Sequence, residues 1–304
     1  MDFQPDVLAG FSAAPLGPAT LIKADAQPAS PRAAILHLHG YNDYFYQAEF
    51  GRWCVDQGLA FYAVDMRAAG RSLKPGDHAH DMASIKEPGD DIAAAMDALA
   101  ELHPGLPLLI HAHSTGGLSA AIWAADRSHP KLAGMVLNSP LFGLPITKGD
   151  ALIVRIVSPL MKLRPSMIVS RRPSLYNERL HVAGGGAAEF NQEWKTGAGV
   201  PTTARWVAAV LGAWKRIDDG LDLPVPTVVA RSATTGPESD DNPLFTSQDV
   251  VVDTVVTARR TRLLGPRVEE LVIEGGMHDL SQSAAEPRAA YLAGVAAFID
   301  KVLA

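Results

Sequence analysis

Short apolar runs alternate with longer stretches of helical composition along most of the chain. Runs of strand type lie at 33–39, 60–65, 107–112, 132–138, 225–230 and 269–274. Stretches of helical composition lie at about 45–57, 88–102 and 118–127, and begin again near 253 and 286. Strands that alternate with helices at this spacing form βαβ units. The pattern therefore predicts an α/β fold with a mostly parallel central sheet flanked by helices, preceded by an N-terminal hairpin or edge strand at 19–24.

The alternation breaks between residues 144 and 222. Two helical segments, at 151–157 and 203–217, are separated there by connections rich in proline and glycine. A helical insertion within an α/β core is typical of a lid or cap. We therefore expect a core made of residues 1–144 and 223–304, with a helical cap at 145–222.

The composition is that of a globular protein, with 304 residues of which 47% are hydrophobic and 20% charged. The formal net charge of −6 argues against nucleic-acid binding, because phosphate backbones attract basic surfaces. A single cysteine, Cys54, excludes an intramolecular disulfide, and its apolar surroundings predict a buried packing role. No uncharged apolar run approaches the roughly 18 residues of a membrane span, and the first residues lack the features of a signal peptide, so we expect a cytoplasmic protein.

A strand-type run, a small-residue turn and a helical stretch meet at Ser114. The sequence around it is Ala112-His-Ser-Thr-Gly116, close to the G-x-S-x-G pattern of a nucleophile elbow, with alanine in place of the first glycine. Small residues two positions before and after the serine are needed because the turn is tight. The alternative is an ordinary strand-loop-helix junction with an incidental serine.

A nucleophilic serine needs a base, and in a hydrolase of this architecture the base follows the last strand. His278 lies on the loop after the strand that ends near Glu274. The third member, an acid, should follow the next-to-last strand, where it orients the imidazole. Spacing alone does not choose among the acids of that loop, which are Glu238, Asp240, Asp241, Asp249 and Asp253.

The motifs together resemble the monoacylglycerol lipase/lysophospholipase-like branch of the α/β-hydrolase superfamily, whose domain is also called serine-aminopeptidase-like. The resemblance covers nearly the whole chain and rests on HGYNDY at 39–44, DMRAAGRS at 65–72, the Ser114 turn, DVVVD at 249–253 and GMH at 276–278. It implies the α/β-hydrolase fold and a Ser-His-Asp triad. The acid of the family carries over to Asp249, whereas Asp253 suits the N-cap of the following helix. The loop at 232–248 is longer than the connection usual in the family.

An oxyanion hole requires two backbone N–H donors. One is Thr115, which directly follows the nucleophile. The resemblance assigns the other to Tyr41, which follows Gly40 in the family's HG-x turn. Asp65 precedes Ser114 in the chain, against the order serine, acid, histidine, so we expect it to hold the turn that follows it.

The resemblance implies a carboxylic ester hydrolase that acts on small-molecule or lipid-like monoesters and needs no cofactor. The apolar stretch at 151–163 would suit an acyl chain. One alternative is an aminopeptidase for small N-terminal residues, which would need cap carboxylates to bind the substrate ammonium; the candidates are Glu189, Glu193, Asp218 and Asp219. Another is a catalytically silent binding protein on the same fold.

Two further patterns allow competing interpretations. Histidines two apart at 37/39, 78/80 and 111/113 could suggest a metal, but no acid or cysteine stands at a ligand-like spacing, so we expect none. Residues 148–181 contain seven Lys/Arg against two acids. This excess suggests either a docking face for anionic lipid at a membrane surface or an ordinary solvated helix face.

Overall fold

The computed structural model describes residues 1–145 and 164–304. Within them, nine strands form one sheet, and two short strands pair separately. The large sheet contains β1 Gln4–Pro5, β2 Phe11–Leu16, β3 Ala19–Ala24, β4 Ala33–Leu38, β5 Leu59–Asp65, β6 Leu108–His113, β7 Leu132–Asn138, β10 Thr227–Ser232 and β11 Val268–Ile273, and the small one contains β8 Ile168–Ser170 and β9 Thr202–Thr203. The order in the large sheet is β1-β2-β3-β5-β4-β6-β7-β10-β11.

Strand direction divides the sheet into two parts. From β5 to β11 every neighbouring pair is parallel. The first three strands join antiparallel to one another and to β5, which confirms the predicted N-terminal hairpin. Every residue of β4, β5 and β6 is buried, as expected for parallel strands covered on both faces.

Helices cover both faces of the sheet. They are α1 Ala48–Asp56, α2 Lys86–Leu102, α3 Thr115–Asp126, α4 Leu175–Leu180, α5 Ala204–Asp218, α6 Thr254–Thr261 and α7 Ala285–Leu303, with 3₁₀ turns at Gly70–Ser72, Val182–Gly184 and Leu280–Gln282. One core joins α2, α3 and α5 to one face of the strands, and a second joins α1 and α7 to the other. Cys54 lies buried in the second core, as predicted.

The segment at 164–222 contains a strand pair besides helices. The predicted helix at 203–217 is α5, whose Trp214 indole N–H donates to the Leu141 carbonyl at 2.7 Å. The small sheet of β8 and β9 was not predicted, because strands of two and three residues are too short to give a periodic signal. The helix predicted at 151–157 lies outside the described residues, and the division into core and cap stays a prediction. No described helix has the length and apolarity needed to cross a membrane.

Candidate active site

Ser114 occupies the turn between β6 and α3 in a strained conformation. Its φ of 52° and ψ of −118° lie where residues other than glycine are rare. Backbone hydrogen bonds hold it there: the Ser114 N–H donates to the Asn138 carbonyl at 3.0 Å, and the Leu141 N–H donates to the Ser114 carbonyl at 2.9 Å. The serine backbone is thereby fixed to the end of β7 and to the loop that follows it.

Two glycines let the loop after β4 approach this turn. A Cβ on Gly116 would lie 2.4 Å from the His39 carbonyl oxygen, so any side chain there would displace backbone. A Cβ on Gly40 would lie 3.0 Å from Cβ of Ser114. The small residue required after the nucleophile therefore makes room for the turn at 39–41.

The structure brings together three of the predicted side chains. The Ser114 Oγ lies 3.1 Å from Nε2 of His278, and Nδ1 of the same ring lies 2.9 Å from Oδ2 of Asp249. All three residues are buried. With the proton on Nδ1 donated to the carboxylate, Nε2 is free to accept from the serine hydroxyl. This is the arrangement that prepares a serine for nucleophilic attack.

The remaining acids of the loop have other partners or none near His278. Asp253 caps α6 by accepting from the N–H groups of Val255 and Val256 at 2.9 Å, which confirms the predicted N-cap. Glu238 accepts from the Tyr176 N–H at 2.8 Å, and Asp240 pairs with Arg179. Asp241 is exposed. Asp249 instead uses its second oxygen, Oδ1, to accept from the N–H groups of Val251 and Val252, both at 2.8 Å.

Asp279 and Asn138 fix the loop that holds His278. Asp279 accepts from the Asn138 side-chain amide at 2.8 Å, and Asn138 in turn accepts from the Leu280 N–H at 3.2 Å. Burial raises the pKa of Asp279, but nearby His113 and hydrogen bonds from Ser281 and Asn138 outweigh it and hold the pKa below the usual range. Since Asn138 also binds the Ser114 backbone, one residue connects the turns that carry the serine and the histidine.

The two predicted oxyanion donors belong to the two segments next to the serine. Thr115 is the first residue of α3, where backbone N–H groups have no partner within the helix. Tyr41 follows Gly40 on the turn that packs against Ser114. Its hydroxyl lies 3.3 Å from the Pro201 carbonyl and from Thr202 Oγ1, and its ring packs against Trp206 with centroids 4.5 Å apart. Whether the N–H groups of Tyr41 and Thr115 form an oxyanion hole stays a prediction.

A cavity of about 190 Å³ opens at Ser114 and His278. Its wall has an apolar part and a polar part. The apolar part includes Leu141, Leu144, Val200, Trp206 and Val251; the polar part includes Asn42, Asp43, Ser174, Asn177 and Lys195, with Arg172. Asp43 and Lys195 form a buried ion pair, with Oδ1 and Nζ 3.0 Å apart.

The paired histidines make protein contacts. His37 and His111 share a hydrogen bond between their Nδ1 atoms at 2.8 Å, and His111 Nε2 bonds to the Tyr291 hydroxyl at 2.7 Å. Burial lowers the pKa of His37 to about 4, so the ring is neutral at pH 7. His39 accepts from the Met66 N–H through Nε2 at 3.0 Å. Among residues 1–145 and 164–304, no group of three His, Cys, Asp or Glu could hold a metal.

Asp65 lies outside this constellation. It accepts from the Phe45 N–H at 2.8 Å and pairs with Arg71 at 2.8 Å, and so ties together the loops after β4 and β5. The sequence pattern did not indicate the roles of Asn138, Asp279 or the Asp43–Lys195 pair. A polar residue at the end of a buried strand is the signal that could have pointed to Asn138.

Three comparisons relate the chain to known proteins. The family model described as "Serine aminopeptidase, S33" matches residues 29–227. Phospholipase YtpA of Bacillus subtilis is 26% identical over 142 residues, which make up 44% of this chain and 52% of that protein. Monoacylglycerol lipase of Mycolicibacterium smegmatis is 32% identical over 116 residues, 36% of this chain and 38% of that protein. The chain thus matches about half or less of the length of these curated relatives.

Solved structures match over almost the full length. A soluble variant of monoglyceride lipase from Saccharomyces cerevisiae, in complex with a substrate analog, superposes with a TM-score of 0.75 at 14% identity, covering 99% of this chain and 98% of that one. Monoacylglycerol lipase of Paleococcus ferrophilus gives 0.67 at 16% identity, covering 91% and 98%. At such identities the likeness establishes the fold, and it confirms the predicted α/β-hydrolase architecture.

Proposed function

The chain belongs to the serine aminopeptidase S33 family as a monoacylglycerol lipase-like α/β-hydrolase, and on this premise we propose that it hydrolyses carboxylic esters through a covalent acyl-enzyme. Ser114 is the nucleophile, His278 the general base and Asp249 the residue that orients the base. The observation that carries the proposal is the hydrogen-bond path from Ser114 Oγ to His278 and on to Asp249, at 3.1 and 2.9 Å.

In the first half of the reaction, the Ser114 oxygen attacks the ester carbonyl and His278 Nε2 takes the serine proton. The negative charge of the tetrahedral intermediate falls on the former carbonyl oxygen, where the backbone N–H groups of Thr115 and Tyr41 stabilise it. Asp249 stabilises the imidazolium that forms. The imidazolium then protonates the leaving alkoxide, and the alcohol departs.

The second half repeats these steps with water. His278 takes a proton from the water as its oxygen attacks the acyl carbonyl on Ser114. Collapse of the second intermediate returns the proton to Ser114 Oγ and releases the carboxylic acid. No cofactor enters the cycle.

Lipid-like monoesters are the substrates that we propose, such as monoacylglycerols or lysophospholipids. The apolar part of the cavity suits an acyl chain, and Ser174, Asn177 and Arg172 in the polar part suit a hydroxylated or charged alcohol. The apolar stretch at 151–163, which would extend the acyl pocket, lies outside the described residues. Two relatives, a phospholipase and a monoacylglycerol lipase, are named for lipid esters, which supports the lipid class of the substrate.

The aminopeptidase alternative needs a carboxylate available to a substrate ammonium. Asp43 is the one carboxylate among the described residues that line the cavity, and Lys195 already pairs with it. The cap acids proposed for this role lie elsewhere: Glu189 and Glu193 are exposed, Asp218 pairs with Arg260, and Asp219 pairs with Lys215. These contacts favour the esterase.

Membrane docking through the basic segment at 148–181 remains a hypothesis. Arg164 and Arg171 are exposed, as a docking face requires, whereas Arg179 pairs with Asp240. Lys148, Arg155 and Lys162 lie outside the described residues.

A substrate panel tests the proposal. We expect the protein to cleave p-nitrophenyl esters and to leave amino-acid p-nitroanilides intact. A fluorophosphonate probe should label the wild type but not Ser114→Ala, which should keep its thermal stability and lose roughly 10⁴–10⁶-fold in kcat. Cleavage of the anilides in preference to the esters would favour the aminopeptidase. A wild type that cleaves neither and takes no label would favour the silent binding protein.

A further inference from the structure

Four consecutive side chains of the turn after β4 bind one segment of the predicted cap, at 191–202. The Tyr41 hydroxyl contacts Pro201 and Thr202, as described above. The Asn42 side chain accepts from the Thr196 N–H at 3.0 Å and donates to the Thr196 carbonyl at 2.8 Å. The Tyr44 hydroxyl accepts from the Asn191 N–H at 2.7 Å. The fourth contact, at Asp43, is the ion pair with Lys195.

The ion pair is almost fully buried in the wall of the cavity. Asp43 is 2% exposed and Lys195 4% exposed. The ammonium lies over the rings of Tyr46 and Phe190, 5.5 and 5.6 Å from their centroids. Burial raises the pKa of Asp43, but the ammonium of Lys195 together with nearby His113 and His39 outweighs it, so that the pKa is lowered and the carboxyl stays charged. The ion pair and the two rings beside the ammonium together restrict both side chains to this geometry.

The Asp43–Lys195 ion pair contacts the part of the turn that lies next to Ser114, at Gly40. The second oxygen of Asp43 accepts from the Gly40 N–H at 3.4 Å, in the residue just before Tyr41. Asn42, between Tyr41 and Asp43, has a φ of 52°, in the left-handed region that asparagine adopts more readily than most residues, and this reverses the chain direction within the turn. Gly40 already lies so close to Ser114 that a methyl group would be 3.0 Å from Cβ of the serine. A small shift of the turn would therefore move the Tyr41 N–H relative to the nucleophile.

We propose that Lys195 is a positioning residue that sets the Tyr41 N–H through Asp43, so that a buried ion pair between residues 152 positions apart holds one half of the oxyanion hole. The proposal rests on the proposed function, in which Tyr41 donates to the tetrahedral intermediate. The donor is needed in the transition state more than in the bound substrate, so its displacement lowers kcat and leaves KM nearly unchanged.

The test compares Lys195→Met with the double variant Lys195→Met/Asp43→Asn. The single variant leaves a buried carboxylate without a partner and should be less stable. The double variant removes both charges and should recover much of the thermal stability. If the ion pair were purely structural, the double variant would also recover its activity. If the pair positions Tyr41, the double variant would recover stability without recovering activity. We expect the kcat of the double variant to be roughly ten- to a hundred-fold lower than that of the wild type. This loss is smaller than the roughly 10²–10³-fold loss in kcat that follows removal of an oxyanion-hole donor.

A trifluoromethyl ketone supplies the second measurement, because its adduct with serine places an oxyanion where the intermediate has one. Its inhibition constant should rise by the same factor as kcat/KM falls. Arg231→Met/Glu270→Gln is the control, since that ion pair of 2.7 Å joins β10 to β11 outside the cavity wall and should leave kcat unchanged.

Wild-type kcat and ketone affinity in the double variant would overturn the positioning role, as would a rise in KM at constant kcat. Neither result would contradict the proposed function, because the fluorophosphonate labelling of Ser114 tests that function separately. A wild type that takes no label would instead refute the proposed function, and the positioning role with it.

Discussion

Replacing Asp249 by asparagine should inactivate the protein through the hydrogen-bond pattern around that residue. Oδ1 of Asp249 accepts from two backbone N–H groups at 2.8 Å. An amide NH₂ group at that position would face both donors, so the asparagine must place its oxygen there. Its NH₂ group then faces Nδ1 of His278, which can no longer donate.

The consequence reaches Ser114 through the imidazole tautomer. With Nδ1 forced to accept, the ring proton moves to Nε2, which lies 3.1 Å from Ser114 Oγ and should have taken the serine proton. We expect a loss in kcat of roughly 10⁴-fold, or about 5 kcal/mol of transition-state stabilisation. The free energy of unfolding should fall by only about 1–2 kcal/mol, because both backbone donors keep an acceptor.

Asp253→Asn is the matched control. It makes the same change four residues away, and asparagine caps helices as well as aspartate does, so kcat should stay within about two-fold of the wild type. Both variants are assayed on one p-nitrophenyl ester, beside thermal unfolding. An active Asp249→Asn together with an inactive Asp253→Asn would refute the assignment and make Asp253 the acid.

Two further predictions concern specificity and stability. Each buried acyl methylene contributes about 0.8 kcal/mol, so kcat/KM should rise up to roughly four-fold per methylene until the pocket is full; equal rates on acetyl and decanoyl esters would refute the lipid substrate. Polar substitutions in the apolar stretch at 151–163 should flatten the rise without slowing acetate esters. Burial lowers the pKa of His37 from 6.5 to about 4, so the unfolded chain alone takes up a proton as the pH falls between these values. Protonation of His37 in the unfolded chain should lower the free energy of unfolding by about 3 kcal/mol across that window. Measured by urea unfolding, the free energy of unfolding should therefore fall less with decreasing pH in His37→Gln than in the wild type.

Local patterns in the sequence were sufficient for the parallel strands, for the longer helices among the described residues and for the turn at Ser114, but not for the short strands β8 and β9. Apolar runs alternating with helical stretches predicted the parallel sheet and its helices, because burial and periodicity act within each element. The Ala112-to-Gly116 motif predicted the strained turn because only small residues fit beside it. The helix cap at Asp253 was predicted for the same local reason, since its partners lie two and three residues away.

The tertiary structure decided which distant residues meet. The sequence left five acids open on the loop before α6, and the family resemblance favoured Asp249; the fold places Asp249 beside His278, while Asp253 turns to its own helix. Asn138 and Asp279 stand 141 positions apart, and Asp43 and Lys195 stand 152 apart. Such pairs leave no periodic or spacing signal, because their geometry depends on how separate elements pack together. A carboxylate buried by that packing keeps its charge only where the same packing brings it a partner.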